Sequence, residues 1–323
     1  MIDKTQLQSI AAEMKKVRAA NIYYHKSPDG DAIGSAHALA LGLRSLGAKC
    51  RLYCVDPIPQ KYRFLTDKVE QEELEDPVLI SVDSASPSRL GKYGDQQFDF
   101  CIDHHENNSI PADCKYVDDR SSSCAEIIYR LLVEMDVKIT NQMADLLYVG
   151  LITDTSCFRT ESTNSGSLRT AAELAECGAD IVNLGKRFCL KKSPARIQIE
   201  SILMDNFHYT CNGKVLGCFF SYDDLIRVGT TDSELEGLNG VIDQVEGIDI
   251  GIVIRETKPG KCRISVRTAA PYNAAKICTE FGGAGHADRA GGNLDGKPKE
   301  VLALVEEICR RQIENDSIVE EIK

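Results

Sequence analysis

Several features are missing from this sequence, and each absence narrows the reading. No apolar run approaches the roughly 18 residues that a membrane-crossing helix needs. The start, Met1-Ile2-Asp3-Lys4, lacks the basic-then-apolar plan of a secretory signal. No Cys-x-x-Cys pair occurs among 13 cysteines, an odd count at scattered spacings. Neither a zinc ribbon nor a disulfide framework is therefore indicated. The expected setting is the cytoplasm, with reduced cysteines acting as small hydrophobic side chains, and no membrane partner is expected. Positive charge is also short: 38 Lys and Arg stand against 49 Asp and Glu, a formal net charge of −11. That balance argues against a long duplex nucleic acid, whose phosphates require a cationic track. It leaves room for a small phosphorylated ligand, because a bound metal or a few local arginines reverse the sign inside one site.

What remains describes a packed chain. At 323 residues, 43% hydrophobic and 27% charged, it has the size of two ordinary domains and the composition of a globular protein. No internal repeat or low-complexity segment appears. The expected class is α/β: an N-terminal parallel-sheet domain over residues 1–190, a helical linker over 191–206, and a smaller α/β C-terminal domain over 207–323. In the first part, strand patterns at 21–25, 51–55, 78–82 and 98–102 alternate with helical spacing at 31–47, 124–135, 141–152 and 165–177. Ser193-Pro194 reads as a helix start, with Ser as N-cap and Pro at the first helical position. Beyond it, Ile250, Ile252 and Ile254 alternate, as do Cys262, Ile264 and Val266, which predicts half-buried strands. The other face of the second strand carries Arg263, Ser265 and Arg267.

Most chemistry-bearing residues fall in four places of the first part. They are His25-x-x-x-Asp29-x-Asp31, Asp83, Asp103-His104-His105, and Asp154. Three of the four follow an apolar strand pattern, and the carboxyl ends of strands in an open α/β sheet converge on one crevice. Asp154, near the end of a helix, can reach the same place. Any one Asp after a strand is an ordinary turn or N-cap residue; the coincidence of all four carries the argument. Imidazole and carboxylate without thiolate suit Mn²⁺ or Mg²⁺. Even four of these aspartates with two of the histidines exceed the needs of one ion and fit two ions sharing a carboxylate, as in phosphoester-cleaving sites. Gly30 and Gly34 allow the backbone close approach there.

In kind and order these residues resemble the DHH phosphoesterases, named for the triplet found here at 103–105. The resemblance implies two Mn²⁺ ions, with Mg²⁺ as the alternative. It assigns His25, Asp29 and Asp83 to one ion and Asp31, Asp83, His104 and Asp154 to the other. His105 would contact the scissile phosphate or help protonate the leaving group, and Asp103 would orient a histidine.

A glycine-rich segment, Phe281-Gly282-Gly283-Ala284-Gly285-His286-Ala287-Asp288-Arg289, follows a predicted helix from Asn273. It is not a P-loop, since no Lys-Ser/Thr follows the glycines and no strand precedes them. Backbone N–H groups of Gly282, Gly283 and Gly285 are expected to form an anion nest, with His286 and Arg289 adding side-chain donors. A plain helix stop and turn is the competing reading. The segment resembles the Gly-Gly-Gly-His motif of the C-terminal domain associated with this family, with Ala284 in place of one glycine. Arg267 matches a family arginine that grips phosphate.

The resemblance runs from Asn21 to about Leu294 and implies the compact branch acting on very short RNA and on 3′-phosphoadenosine-5′-phosphate (pAp). The alternative within the family is a phosphodiesterase for dinucleotides such as pApA or cyclic di-AMP. A metal- or nucleotide-binding regulator without catalysis is the rival from another class. The resemblance also allows a homodimer.

Overall fold

The apolar runs of the first half become five strands: β1 (Ala19–Tyr23), β2 (Lys49–Tyr53), β3 (Val78–Val82), β4 (Phe98–Asp103) and β5 (Ala112–Val117). In the computed structural model, which describes residues 4–66, 74–235 and 237–321, the chain divides into Met1–Lys191 and Lys192–Lys323. All pairings in the first sheet are parallel, in the order β2-β1-β3-β4-β5. The order reverses between β1 and β3, and such a switch point is where an open parallel sheet leaves a crevice at its carboxyl edge. β1 starts two residues earlier than expected, so His25 lies beyond its end. The edge strand β5 and the helix α1 (Lys4–Met14) were not anticipated.

α2 (Gly30–Ser45) is capped by Asp29 and is buried along most of its length, unlike a half-exposed surface helix. Its small residues make that possible. A Cβ at Gly34 would collide with the Leu146 carbonyl oxygen of α4 (Asn141–Asp154), so glycine sets how closely the two helices approach. α3 (Cys124–Glu134) and α5 (Ser165–Glu176) fall within two residues of their predicted ends. One cysteine expectation is corrected. Cys157, just after α4, is disulfide-bonded to Cys189, 32 residues away, in a π-helical turn over Lys186–Leu190. A pairing across that separation leaves no local pattern to read.

In the second unit, Ser193 caps α7 (Pro194–Asp205) and Pro194 opens it. This helix was expected as a linker, yet it buries Ile199 and Leu203 beside Leu216 and Phe220 in the unit's own core. The six-stranded sheet contains β6 (His208–Thr210), β7 (Val215–Phe220), β8 (Ile250–Lys258), β9 (Lys261–Thr268), β10 (Ala284–Gly285) and β11 (Arg289–Asp295), in the order β10-β11-β9-β8-β7-β6. Only β7 and β8 pair in parallel; the other pairings are antiparallel. β8 corrects the half-buried expectation. Ile250, Ile252 and Ile254 pack with Val305 and Cys309, while Val253 packs in a second cluster on the opposite face with Leu203 and Phe220. β9 keeps the predicted alternation, with Ile264 and Val266 inside. Among the described residues no helix is long and apolar enough to cross a membrane.

Candidate metal centre

Three strands and two helices deliver the acidic and histidine side chains to one place. β1 leads into His25 and Asp29, β3 ends before Asp83, β4 runs into Asp103-His104-His105, and α4 ends at Asp154. The Asp29 Oδ1 caps α2 by accepting from the backbone N–H groups of Asp31 and Ala32, which leaves Oδ2 3.5 Å from His25 Nε2. The His25 Nδ1 is 2.9 Å from the Lys26 carbonyl oxygen. With the proton on Nδ1 donated there, the Nε2 lone pair is left to face a cation that Asp29 and Asp83 would share. Asp31, in the first turn of α2, reaches the N-terminus of α3, where its carboxylate accepts from the N–H groups of Cys124 (2.6 Å) and Ala125 (2.8 Å).

Besides a group of Asp83, Asp103, His104 and His105, two sets have ligand atoms within 4.8 Å of one another: His25, Asp29 and Asp83, and Asp31, His104 and Asp154. Asp83 faces both: its Oδ2 is 3.6 Å from His25 Nε2 and its Oδ1 3.6 Å from His104 Nε2. His104 Nε2 is also 3.5 Å from Asp154 Oδ2. Asp83 is 2% exposed, and its Oδ1 has no hydrogen-bond partner. A buried carboxylate oxygen without a donor is costly unless a cation completes it.

The electrostatics point the same way. Burial and the neighbouring Asp83 charge raise Asp31 well above the usual carboxylate range. Burial pushes Asp154 up to about 7, with Asp83 adding to it against the pull of His104. Such crowding is relieved when divalent cations neutralise the carboxylates. The donor set and the orphaned oxygen both fit metal ions.

Asp103 has a different task. It is fully buried; its Oδ1 accepts from His105 Nδ1 at 2.7 Å and from the His104 N–H, and its Oδ2 accepts from Asn108 Nδ2. Both oxygens are engaged by protein donors, an arrangement that fixes the His105 ring. The hydrogen bond that His105 donates to Asp103 raises the His105 pKa to about 9, and the ring is 41% exposed. Sequence reasoning missed Asn108 and also Arg89, whose guanidinium is 3.0 Å from His25 Nδ1. Arg89 lies in a short 3₁₀ segment (Pro87–Tyr93) and Asn108 in a loop, where no apolar periodicity singles them out.

In the second unit, Arg267, Gly285, His286 and Arg289 line an open pocket of about 530 Å³. Gly285 has φ 154°, and a Cβ there would meet the Arg289 carbonyl and Ala290, so the tight β10–β11 hairpin requires glycine. The anion-nest expectation is corrected for Gly282 and Gly283. Their N–H groups donate to the Thr279 and Cys278 carbonyls, closing the end of the preceding helix, α9 (Ala274–Thr279). The N–H of His286 likewise donates to Arg289. The pocket's donors are therefore chiefly side chains, and Arg289 is itself paired with Asp288 at 3.0 Å. The sequence reading also passed over Asp243, whose carboxyl sits in the field of Arg267 and Arg289.

Two family models match the chain. The model described as DHH family, N-terminal domain covers residues 20–151, the span that carries most of the cluster, and the DHHA1 domain model covers residues 212–311. The chain carries a DHH-family N-terminal domain and a DHHA1 domain. Among curated relatives, the bifunctional oligoribonuclease and PAP phosphatase NrnA of Thermus thermophilus is 29% identical over 297 residues, 89% of this chain and 88% of that protein. The protein of the same name from Bacillus subtilis is 27% identical over 301 residues, 90% of this chain and 94% of its own. An exopolyphosphatase-related protein from Bacteroides fragilis shares the fold, with a TM-score of 0.85, 20% identity, and coverage of 96% of this chain and 97% of that one.

Proposed function

We propose that this chain is a two-metal phosphoesterase that hydrolyses short oligoribonucleotides and pAp, with Mn²⁺ as its ion. The observation that carries the reading is Asp83, whose two oxygens face separate ligand sets. His25, Asp29 and Asp83 would hold one ion; Asp31, Asp83, His104 and Asp154 would hold the other. Bound divalent ions supply Lewis acidity towards water and the phosphoryl oxygens.

The chain's own residues do the rest. His105, kept protonated near neutral pH by Asp103, faces the phosphoryl group as a cation and donates a proton to the departing oxygen. Asp103 and Asn108 hold that ring in place. Arg267, His286 and Arg289 bind a ligand phosphate that is not being cleaved. The names of the NrnA relatives support the substrate class, and the acidic surface agrees with ligands too short to need a cationic track. A cytoplasmic site of action follows from that substrate class.

The test is a substrate panel with added Mn²⁺: pAp, pApA, cyclic di-AMP, and RNA of two to ten nucleotides, each with wild type and Asp83→Asn. Hydrolysis of pAp and the shortest RNA, lost in the variant, is the expected result. Preference for cyclic di-AMP would replace the reading with the dinucleotide one. Binding without turnover on any substrate would make the protein a regulator.

A further inference from the structure

The pocket of the second unit is cationic at both ends. On β9 the side chains of Arg263, Ser265 and Arg267 share one face. Cross-strand register sets Arg289 of β11 beside Arg267, Gly291 beside Ser265, and Arg255 of β8 beside Arg263. All of these residues line the same pocket. Two arginine rows, Arg267 with Arg289 and Arg255 with Arg263, therefore stand four residues apart. At a strand rise of about 3.3 Å per residue the separation is about 13 Å. Between them the register places Gly291 of β11 and Val253 of β8 on either side of Ser265.

The second row is incompletely satisfied by the protein. Asp232 is shared by both guanidiniums, 3.1 Å from Arg255 Nη1 and 3.8 Å from Arg263 Nη1, so two positive charges face one negative. The Arg255 side chain is only 10% exposed, yet its Nε has no hydrogen-bond partner, and neither does the buried Oδ1 of Asn239 on the same pocket wall. Buried polar atoms are seldom left alone. Here one donor, Arg255 Nε, and two acceptors, Asn239 Oδ1 and Asp232 Oδ1, are left without a hydrogen bond at one end of an open pocket, beside an arginine that is 59% exposed.

We infer that Arg255 and Arg263 form a second phosphate subsite, which engages 5′-phosphorylated oligonucleotides of three or more nucleotides and has no role in binding pAp. The inference rests on the phosphoesterase reading above. pAp has two phosphates; one is hydrolysed, and Arg267 with Arg289 takes the other. A 5′-phosphorylated trinucleotide has a third, which the Arg255–Arg263 row takes. The shared carboxylate of Asp232 keeps that row weak, so it selects by chain length and does not trap a lone anion.

The test compares wild type, Arg263→Ala and Asp232→Asn on pAp and on a 5′-phosphorylated pentaribonucleotide. Anisotropy of a labelled pentamer in metal-free buffer is measured alongside, over a range of salt. Arg263 is exposed enough for Ala to leave folding intact. Its loss should lower kcat/KM on the pentamer about 3- to 10-fold, mainly through KM, as expected for a phosphate contact by a half-exposed guanidinium. The change on pAp should stay below about twofold. The slope of log affinity against log salt for the pentamer should flatten by about 0.7, the value for one lost phosphate contact on a single strand. Asp232→Asn should tighten pentamer binding, whereas a role confined to folding would weaken it. Equal losses on both substrates, or an unchanged salt slope, would overturn the subsite. A wild type that binds the pentamer through Arg263 but hydrolyses nothing would instead remove the phosphoesterase reading and leave the subsite standing.

Discussion

Replacing Asp83 with Asn removes one charge from the centre of the cluster while leaving the backbone undisturbed. Asp83 has φ 51°, in the left-handed region that Asn tolerates as Asp does and Ala does not. Ala would therefore mix backbone strain with lost charge. In the metal-free protein Asp83 repels Asp31 and Asp154 and helps raise both. Without that charge, metal-free Asp83→Asn should melt at the same temperature as metal-free wild type, or higher. Adding Mn²⁺ should reverse the order. A ligand at about 100 times its Kd stabilises the folded state by about 2.7 kcal/mol per site. In a unit the size of Met1–Lys191, each kcal/mol is worth about 2–4 °C. Wild type should thus gain about 5–11 °C per occupied site, and the variant should lose most of the gain at both sites. Differential scanning calorimetry in EDTA and in Mn²⁺, with metal counted by mass spectrometry, measures each part. Two ions retained with a wild-type shift would refute the shared ligand. So would a metal-free variant melting several degrees below wild type.

Other consequences follow from single contacts. Because Asp103 holds His105 up to about 9, kcat/KM on pAp should fall as pH rises through that value and His105 loses its proton. Asp103→Asn should move this limb down towards the ordinary imidazole value of about 6.5, and coincident limbs in the two pH profiles would exclude His105 as the titrating group. Arg267→Ala should lower kcat/KM on pAp by about 10- to 150-fold, the range for losing a charged phosphate contact. Bis-p-nitrophenyl phosphate, which lacks a second phosphate, should be cleaved nearly as before, and equal losses on both would assign Arg267 to the fold. Gly34→Ala forces α2 away from the Leu146 carbonyl and should cost about 1–3 kcal/mol in urea unfolding. An unchanged midpoint would mean that the helices can part freely.

The glycine-rich segment marks where sequence reasoning stops. A run of small residues announces a tight turn, and the turn is there, with Gly285 in a conformation other residues avoid. Which N–H groups remain open to an anion depends on neighbours. The carbonyls at the end of α9 take those of Gly282 and Gly283, and no local pattern records that. The same holds for Asp103 and Asp83. Each follows a strand and looks like a ligand, but hydrogen bonds from His105, the His104 backbone and Asn108 occupy the oxygens of Asp103, while Asp83 keeps an oxygen free.

Most strands and helices of the first unit, and the residue types of the site, were legible in the local sequence. Apolar runs of strand length end in His, Asp and Asp-His-His, and short-range spacing is enough to place strands, helices and a cap such as Ser193. Tertiary structure alone decided the strand order with its reversal between β1 and β3. It also decided the burial of β8 on both faces, the joining of Cys157 to Cys189, and the meeting of Arg255 and Arg263 in one pocket with Asp232 paired to both. Periodicity reports which face of an element is apolar, because that depends on its own side chains. Which surface covers that face, and which charges meet across strands, depends on partners tens of residues away.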